Sequence, residues 1–216
     1  MTIISAVFVP EGIAMAADSR LTNTINKERN VEYFTLTDNA QKLLTVRGET
    51  VGISFCGNAF LDGKTVADFI RLFDIKQINS TDTVRDIAEK LHVHLKSYTD
   101  DISSFYIAGY DYDRPCAYAV SREICENLNE DPEGELLYGS VWNGDIERIT
   151  PFIQSIRANY ELMPLKDAVD YAEFIVELNI KEQRFNDGIS TCGGPIDLLV
   201  ITKDYTKFLK HKILKP

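Results

Sequence analysis

Thr2-Ile3-Ile4-Ser5-Ala6-Val7-Phe8-Val9-Pro10-Glu11-Gly12-Ile13-Ala14-Met15-Ala16-Ala17-Asp18-Ser19-Arg20 follows directly on Met1. Residues 2–9 alternate loosely and are rich in Ile, Val and Phe, which predicts a strand. Pro10-Glu11-Gly12 predicts a turn, since Pro presets one dihedral and Gly tolerates a positive one. Residues 13–17 are small and uniformly apolar, the pattern of a strand covered on both faces. Asp18-Ser19-Arg20 ends it. Thr2 adds chemistry to this start. An initiator Met is removed efficiently only before a small side chain, and its loss would leave a hydroxyl and a free α-amine on one residue. Such a pair is a nucleophile with its own base. The amine, with an ordinary pKa of about 7.7–8.0, keeps a usable neutral fraction near pH 7.

Outward from this head, Lys42–Val46 and Val51–Phe55 predict a hairpin across Arg47-Gly48-Glu49, while Thr22 to Glu32 is polar and reads as a loop. Helical spacing runs through 59–75 and through 82–98, the latter opened by a Ser80-Thr81-Asp82 cap. Strands are predicted at 104–110, 116–121 and 135–139. Residues 148–150 are a further strand candidate inside 145–160, which also reads as helix. A second helix covers 164–181, and strands at 195–202 and 206–213 close the chain. Grouped strands imply antiparallel sheets rather than alternating βαβ units. Two amphipathic helix pairs suit the outer faces of two stacked sheets. We expect one domain over residues 1–216.

The 216 residues are 44% hydrophobic and carry a net charge of −10, with acids scattered, so the charge speaks to solubility rather than to a nucleic-acid grip, which needs a basic stripe. Lys207, Lys210, Lys212 and Lys215 gather at the end but read as a solvated tail. Cys56, Cys116, Cys125 and Cys192 form no C-x-x-C pair and fit no zinc spacing. His92 and His94, two apart on a helix, face different ways and cannot share a metal. Asp100, Asp101, Asp111 and Asp113 read as loop acids. The start shows no basic n-region or cleavage site, so no leader is expected, and no apolar run nears the ~18 residues of a membrane helix. The expectation is a soluble cytoplasmic protein with no cofactor, no metal, no nucleic acid and no membrane.

Ordered motifs along the chain resemble proteasome β-type subunits and their bacterial relatives among the N-terminal nucleophile (Ntn) hydrolases. They are Thr2-Ile3-Ile4, Glu11 to Arg20, Gln41-Lys42-Leu43, Phe55-Cys56-Gly57, Tyr138-Gly139-Ser140, and Cys192-Gly193-Gly194 leading into Pro195–Thr202. The resemblance implies an α+β fold, a four-layer αββα sandwich of two antiparallel sheets flanked by helix pairs. It implies a threonine peptidase that self-associates into rings and acts on polypeptides, served by an unfoldase ATPase. Thr2 Oγ would attack a scissile carbonyl, with the α-amine taking the proton directly or through water. Lys42 would be the fixed ammonium beside Thr2, paired with Asp18. The Gly57 N–H would receive the oxyanion. Ser140 would hydrogen-bond the terminal amine, and Asp187 would support that serine.

Four features depart from the family pattern. The stretch from Asp18 to Lys42 is long and suits a cover over the mouth of the site. Cys192 stands where serine is common, Asn186 to Thr191 holds extra residues, and Val141-Trp142 follows Ser140. Trp142 is a candidate for a subunit contact. By position, Leu21, Ala40, Leu44, Phe55 and Ala59 would line an apolar, shallow pocket for the residue before the cut. Two other readings stand beside the peptidase: a small-molecule amidohydrolase using the same Thr2 chemistry, and a non-catalytic ring-forming subunit whose threonine is never exposed.

Overall fold

The computed structural model describes residues 2–27, 30–98 and 103–212; Met1, Glu28, Arg29, Asp100, Asp101 and Lys215 lie outside them. The opening stretch forms β1 (Ile3–Val9) and β2 (Gly12–Ala17), antiparallel, with every residue buried. Next come β3 (Leu21–Lys27), β4 (Asn30–Thr37), β5 (Leu43–Val46), β6 (Val51–Cys56) and the short pair β7 (Phe60–Leu61) and β8 (Lys64–Thr65). They are followed by α1 (Val66–Gln77), α2 (Val84–Leu95), β9 (Ser104–Asp111), β10 (Arg114–Val120), β11 (Cys125–Asn127) and β12 (Gly139–Gly144). The chain continues through α3 (Thr150–Ser155), a 3-10 turn at Tyr160–Leu162, α4 (Leu165–Phe185), β13 (Asp197–Ile201) and β14 (Thr206–Lys210). This is a mixed α+β chain with antiparallel sheets.

One five-stranded sheet runs β12-β1-β2-β13-β14 and another runs β11-β10-β9-β6-β5. Alternation explains why β1 is apolar throughout. Ile3, Val7 and Val9 pack with Ala172, Ile175 and Val176 of α4, whereas Ile4, Ala6 and Phe8 join Tyr106, Ala108 and Ala117 of the second sheet. On the far side of that second sheet, Ile53, Phe105 and Ile107 meet Phe69, Phe73, Ile87 and Leu91 of α1 and α2. Each such buried Ile, Leu or Phe contributes about 1.5–3 kcal/mol. Between the sheets Gly52 is bare for a reason. A Cβ there would stand 2.7 Å from both Leu199 Cδ2 and Met15 Sδ, so the sheets close only over a glycine.

Several boundaries differ from expectation. Residues 22–27 and 30–32 are not loop: they lie in β3 and β4, which pair with each other and with no third strand among the described residues. The α2 cap is Thr83, not Ser80-Thr81-Asp82. Thr83 and Asp86 form a reciprocal capping box, the Asp86 N–H donating to Thr83 Oγ1 (3.0 Å) and the Thr83 N–H to Asp86 Oδ2 (2.8 Å). The strand placed at 135–139 lies at Gly139–Gly144, and residues 148–150 lead into α3, which is six residues rather than a helix over 145–160. α4 takes a cap from afar: the Leu165 N–H donates to Glu11 Oε2, 2.8 Å. No helix among the described residues is long and apolar enough to cross a membrane.

Candidate active site

Asp18 directly follows β2 at the edge of the sheet interface and is fully buried. A buried carboxylate is tolerable only when its lone pairs are filled, and here four donors converge on it. Its Oδ1 accepts from Lys42 Nζ (2.8 Å) and from the Ile3 N–H (3.1 Å). Its Oδ2 accepts from the Gly193 N–H (3.0 Å) and the Arg20 N–H (3.2 Å). Lys42, 1% exposed, precedes β5, and its carbonyl accepts the Phe55 N–H, so it is carried by the second sheet. Its Nζ also donates to the Arg20 carbonyl, 2.5 Å. Those two bonds use two of its three protons. One oxygen of Asp18 thus links the ammonium to the peptide joining Thr2 and Ile3.

Thr2 is itself nearly buried, 5% exposed. Thr2, Lys42, Cys56 and Gly57 line one open cleft of about 940 Å³. Gly57 follows β6 with φ of +108°, a conformation that favours glycine. Leu21, Ala40, Phe55 and Ala59 also line the cleft, joined by Leu36 and Phe60. Leu44 does not; it faces α1 in the core, 3% exposed. The foot of the β3–β4 hairpin supplies one wall and is clamped in place. Arg20 Nε and Nη2 donate to the two oxygens of Asp38 (2.7 and 2.9 Å), and Thr22 Oγ1 donates to the Thr191 carbonyl, 3.1 Å. The hydrogen bond between the Arg20 and Asp38 side chains raises the Arg20 pKa and lowers that of Asp38.

Two expected residues are not brought to Thr2. Ser140 pairs with Val7 in the β1–β12 ladder, and its hydroxyl bonds the Tyr160 hydroxyl at 2.7 Å. Ile3 pairs with Gly144 in the same ladder, so Ser140 stands about 13 Å up the strand from the site. Asp187 is exposed in the loop after α4 and lines a separate recess of about 130 Å³. Ser140 cannot bond the amine of Thr2 from there, and Asp187 lines the recess rather than the cleft that Thr2 lines.

The turn after β12 reaches Thr2 instead, at its carbonyl rather than its amine. The Asp145 N–H donates to the Thr2 carbonyl, 2.9 Å. Gly144, φ +120°, passes so close that a Cβ would lie 1.8 Å from the Thr2 oxygen, so no other residue fits. The Asp145 Oδ2 accepts from Thr191 Oγ1 (2.7 Å) and Gln183 Nε2 (2.9 Å). The signal for this turn was present as Asn143-Gly144-Asp145, a turn-forming run. Cys192 is fully buried, and desolvation, followed by the charge of Asp18, pushes its thiol up to about 12. Burial likewise pushes Cys56 up to about 12. Both are therefore neutral thiols near pH 7. Among the described residues no three His, Cys, Asp or Glu side chains stand where they could share a metal ion. No family model and no curated protein matches this chain.

Proposed function

We propose that the chain is an N-terminal threonine hydrolase acting on peptide bonds, active once Met1 is removed, on the four-layer αββα sandwich of the Ntn hydrolases. The observation that carries this reading is the buried Asp18–Lys42 pair, whose shared Oδ1 also takes the Ile3 N–H beside Thr2. A buried ion pair is a weak source of stability, and its place at the inner wall of the cleft suits chemistry better. Thr2 Oγ attacks the scissile carbonyl carbon and passes its proton to the α-amine. Lys42 stabilises the alkoxide character that develops, and the Gly57 N–H receives the oxyanion. The tetrahedral adduct collapses to an ester on Thr2 as the leaving amine takes the proton from the α-ammonium. Water then attacks the ester, with the same amine as base, and frees Thr2.

The cleft favours a polypeptide over a compact small molecule. It is open, and Leu21, Leu36, Phe55 and Phe60 give it an apolar lining. A cytoplasmic setting fits the four free cysteines. Self-association into rings, with substrate delivered by an unfoldase ATPase, completes the proposal. The test is the intact mass of protein from its own host, before and after a β-lactone probe that opens on Oγ and adds its whole mass. Loss of Met1, an adduct on Thr2, and abolition of peptide hydrolysis by Thr2→Ala with assembly retained are the expected results. A retained Met1 in the native host overturns the enzyme reading in favour of a non-catalytic ring subunit.

A further inference from the structure

Thr2 is gripped from two sides. Asp18 holds the N–H that follows it, and the Asp145 N–H holds its carbonyl. The second grip is itself built. Gln183 near the end of α4 donates to Asp145 Oδ2 and, through Oε1, accepts the N–H groups of Thr191 (2.8 Å) and Cys192 (2.9 Å). Thr191, 6% exposed, adds its hydroxyl to the same Oδ2. One residue beyond Cys192, the Gly193 N–H reaches Asp18. A continuous path of hydrogen bonds and chain therefore joins Asp145 to the Asp18–Lys42 pair. Asp145 lines both the cleft and the recess behind it.

We infer that Asp145 is the positioning residue of the amino terminus: its N–H fixes the Thr2 carbonyl, and its anchored carboxylate supplies negative charge on the β12 side of the Thr2 α-amine. This rests on the reading of Thr2 as nucleophile, and deepens it. The charged and titratable groups of the cleft and of the pair behind it are Asp18 after β2 with Arg20 beside it, Lys42 before β5, Cys56 from β6, Asp68 and Arg71 of α1, Cys192 before β13, and Asp145 with Glu147 after β12. Lys42 disfavours the ammonium form, whereas Asp18, Asp145 and Glu147 favour it. The two thiols are neutral near pH 7 and contribute little.

The experiment is the pH profile of β-lactone acylation, and of kcat/KM on a peptide, for the full mature chain and its Asp145→Asn, Asp145→Glu and Thr191→Val variants, each with its amino terminus verified by mass. Asp145→Asn removes a charge that favours the ammonium, so the acid limb moves to lower pH by on the order of one unit. Its plateau falls roughly 10- to 100-fold as Thr2 loses its aim. Asp145→Glu returns the limb to its wild-type position. Thr191→Val keeps the carboxylate but loosens it, so the plateau falls with the limb unmoved. An unmoved limb in Asp145→Asn overturns the inference, as does a wild-type plateau in Thr191→Val should Asp145→Asn fail to fold. A mature wild-type chain that never acylates on Thr2 overturns the parent reading, and Asp145's role with it; acylation of wild type with either of the former results overturns Asp145's role alone.

Discussion

Lys42 carries the heaviest single demand in the site. Truncating one member of a buried ion pair strands the other, at a cost of about 3–5 kcal/mol. Lys42→Ala leaves Asp18 with three backbone N–H donors and without its ion-pair partner. We expect the melting temperature to fall on the order of 10 °C, read by calorimetry. Acylation of Thr2 should fall by about 10²–10³-fold or more, since a fixed charge at the reacting oxygen is lost. A variant that melts low yet acylates at the wild-type rate would take Lys42 out of the chemistry. Gly144→Ala tests the other grip. Its new methyl would sit on the Thr2 carbonyl oxygen, at 1.8 Å, so the Thr2 backbone must move. Acylation is expected to drop roughly 10²-fold, as a 1 Å displacement does elsewhere. Wild-type acylation would show that the Thr2 carbonyl position does not matter.

At the scale of the element, α2 offers a clean local test. Its capping box satisfies two end donors reciprocally, so Thr83→Ala should cost about 1 kcal/mol in urea unfolding. A second prop, Asp111 accepting from the Val84 N–H at 2.9 Å, remains in place. No change in midpoint would mean that Asp111 alone caps the helix. Which elements were legible follows from what surrounds them. β1 and β2 could be read because cover on both faces makes them apolar throughout, and α4 because its buried face recurs with the helical period. β3 is mostly polar, and it pairs with β4 and no other strand among the described residues, so nothing in the sequence marks it as strand. β12 mixes Gly139, Ser140, Asn143 and Gly144 with Val141 and Trp142, which blurred its register and put Ser140 at the wrong height. Asp18 and Lys42 were legible because their side chains act. Asp145 was not, because its grip on Thr2 is a backbone N–H.

For the whole molecule, two buried thiols tie stability to alkaline pH. Cys56 and Cys192 ionise near about 12 in the folded chain against an ordinary 9.0. Between those values the unfolded chain has released protons that the folded chain keeps, so stability falls as pH rises, by up to about 1.4 kcal/mol per unit for each thiol. Urea midpoints should decline steadily from pH 9 to 10.5. The Cys56→Ala/Cys192→Ala double variant should decline less; an identical decline would place the loss elsewhere. The bond between Asp18 and Lys42 has a consequence on this scale too. Each partner belongs to a different slab of strands, and the slabs seat against each other over the bare patch at Gly52. A slip of a few tenths of an ångström along that seam would part the charged strut from Thr2 while every ladder stayed intact. Reactivity is thus a gauge of how the slabs are docked, and warming should silence the chain before it melts.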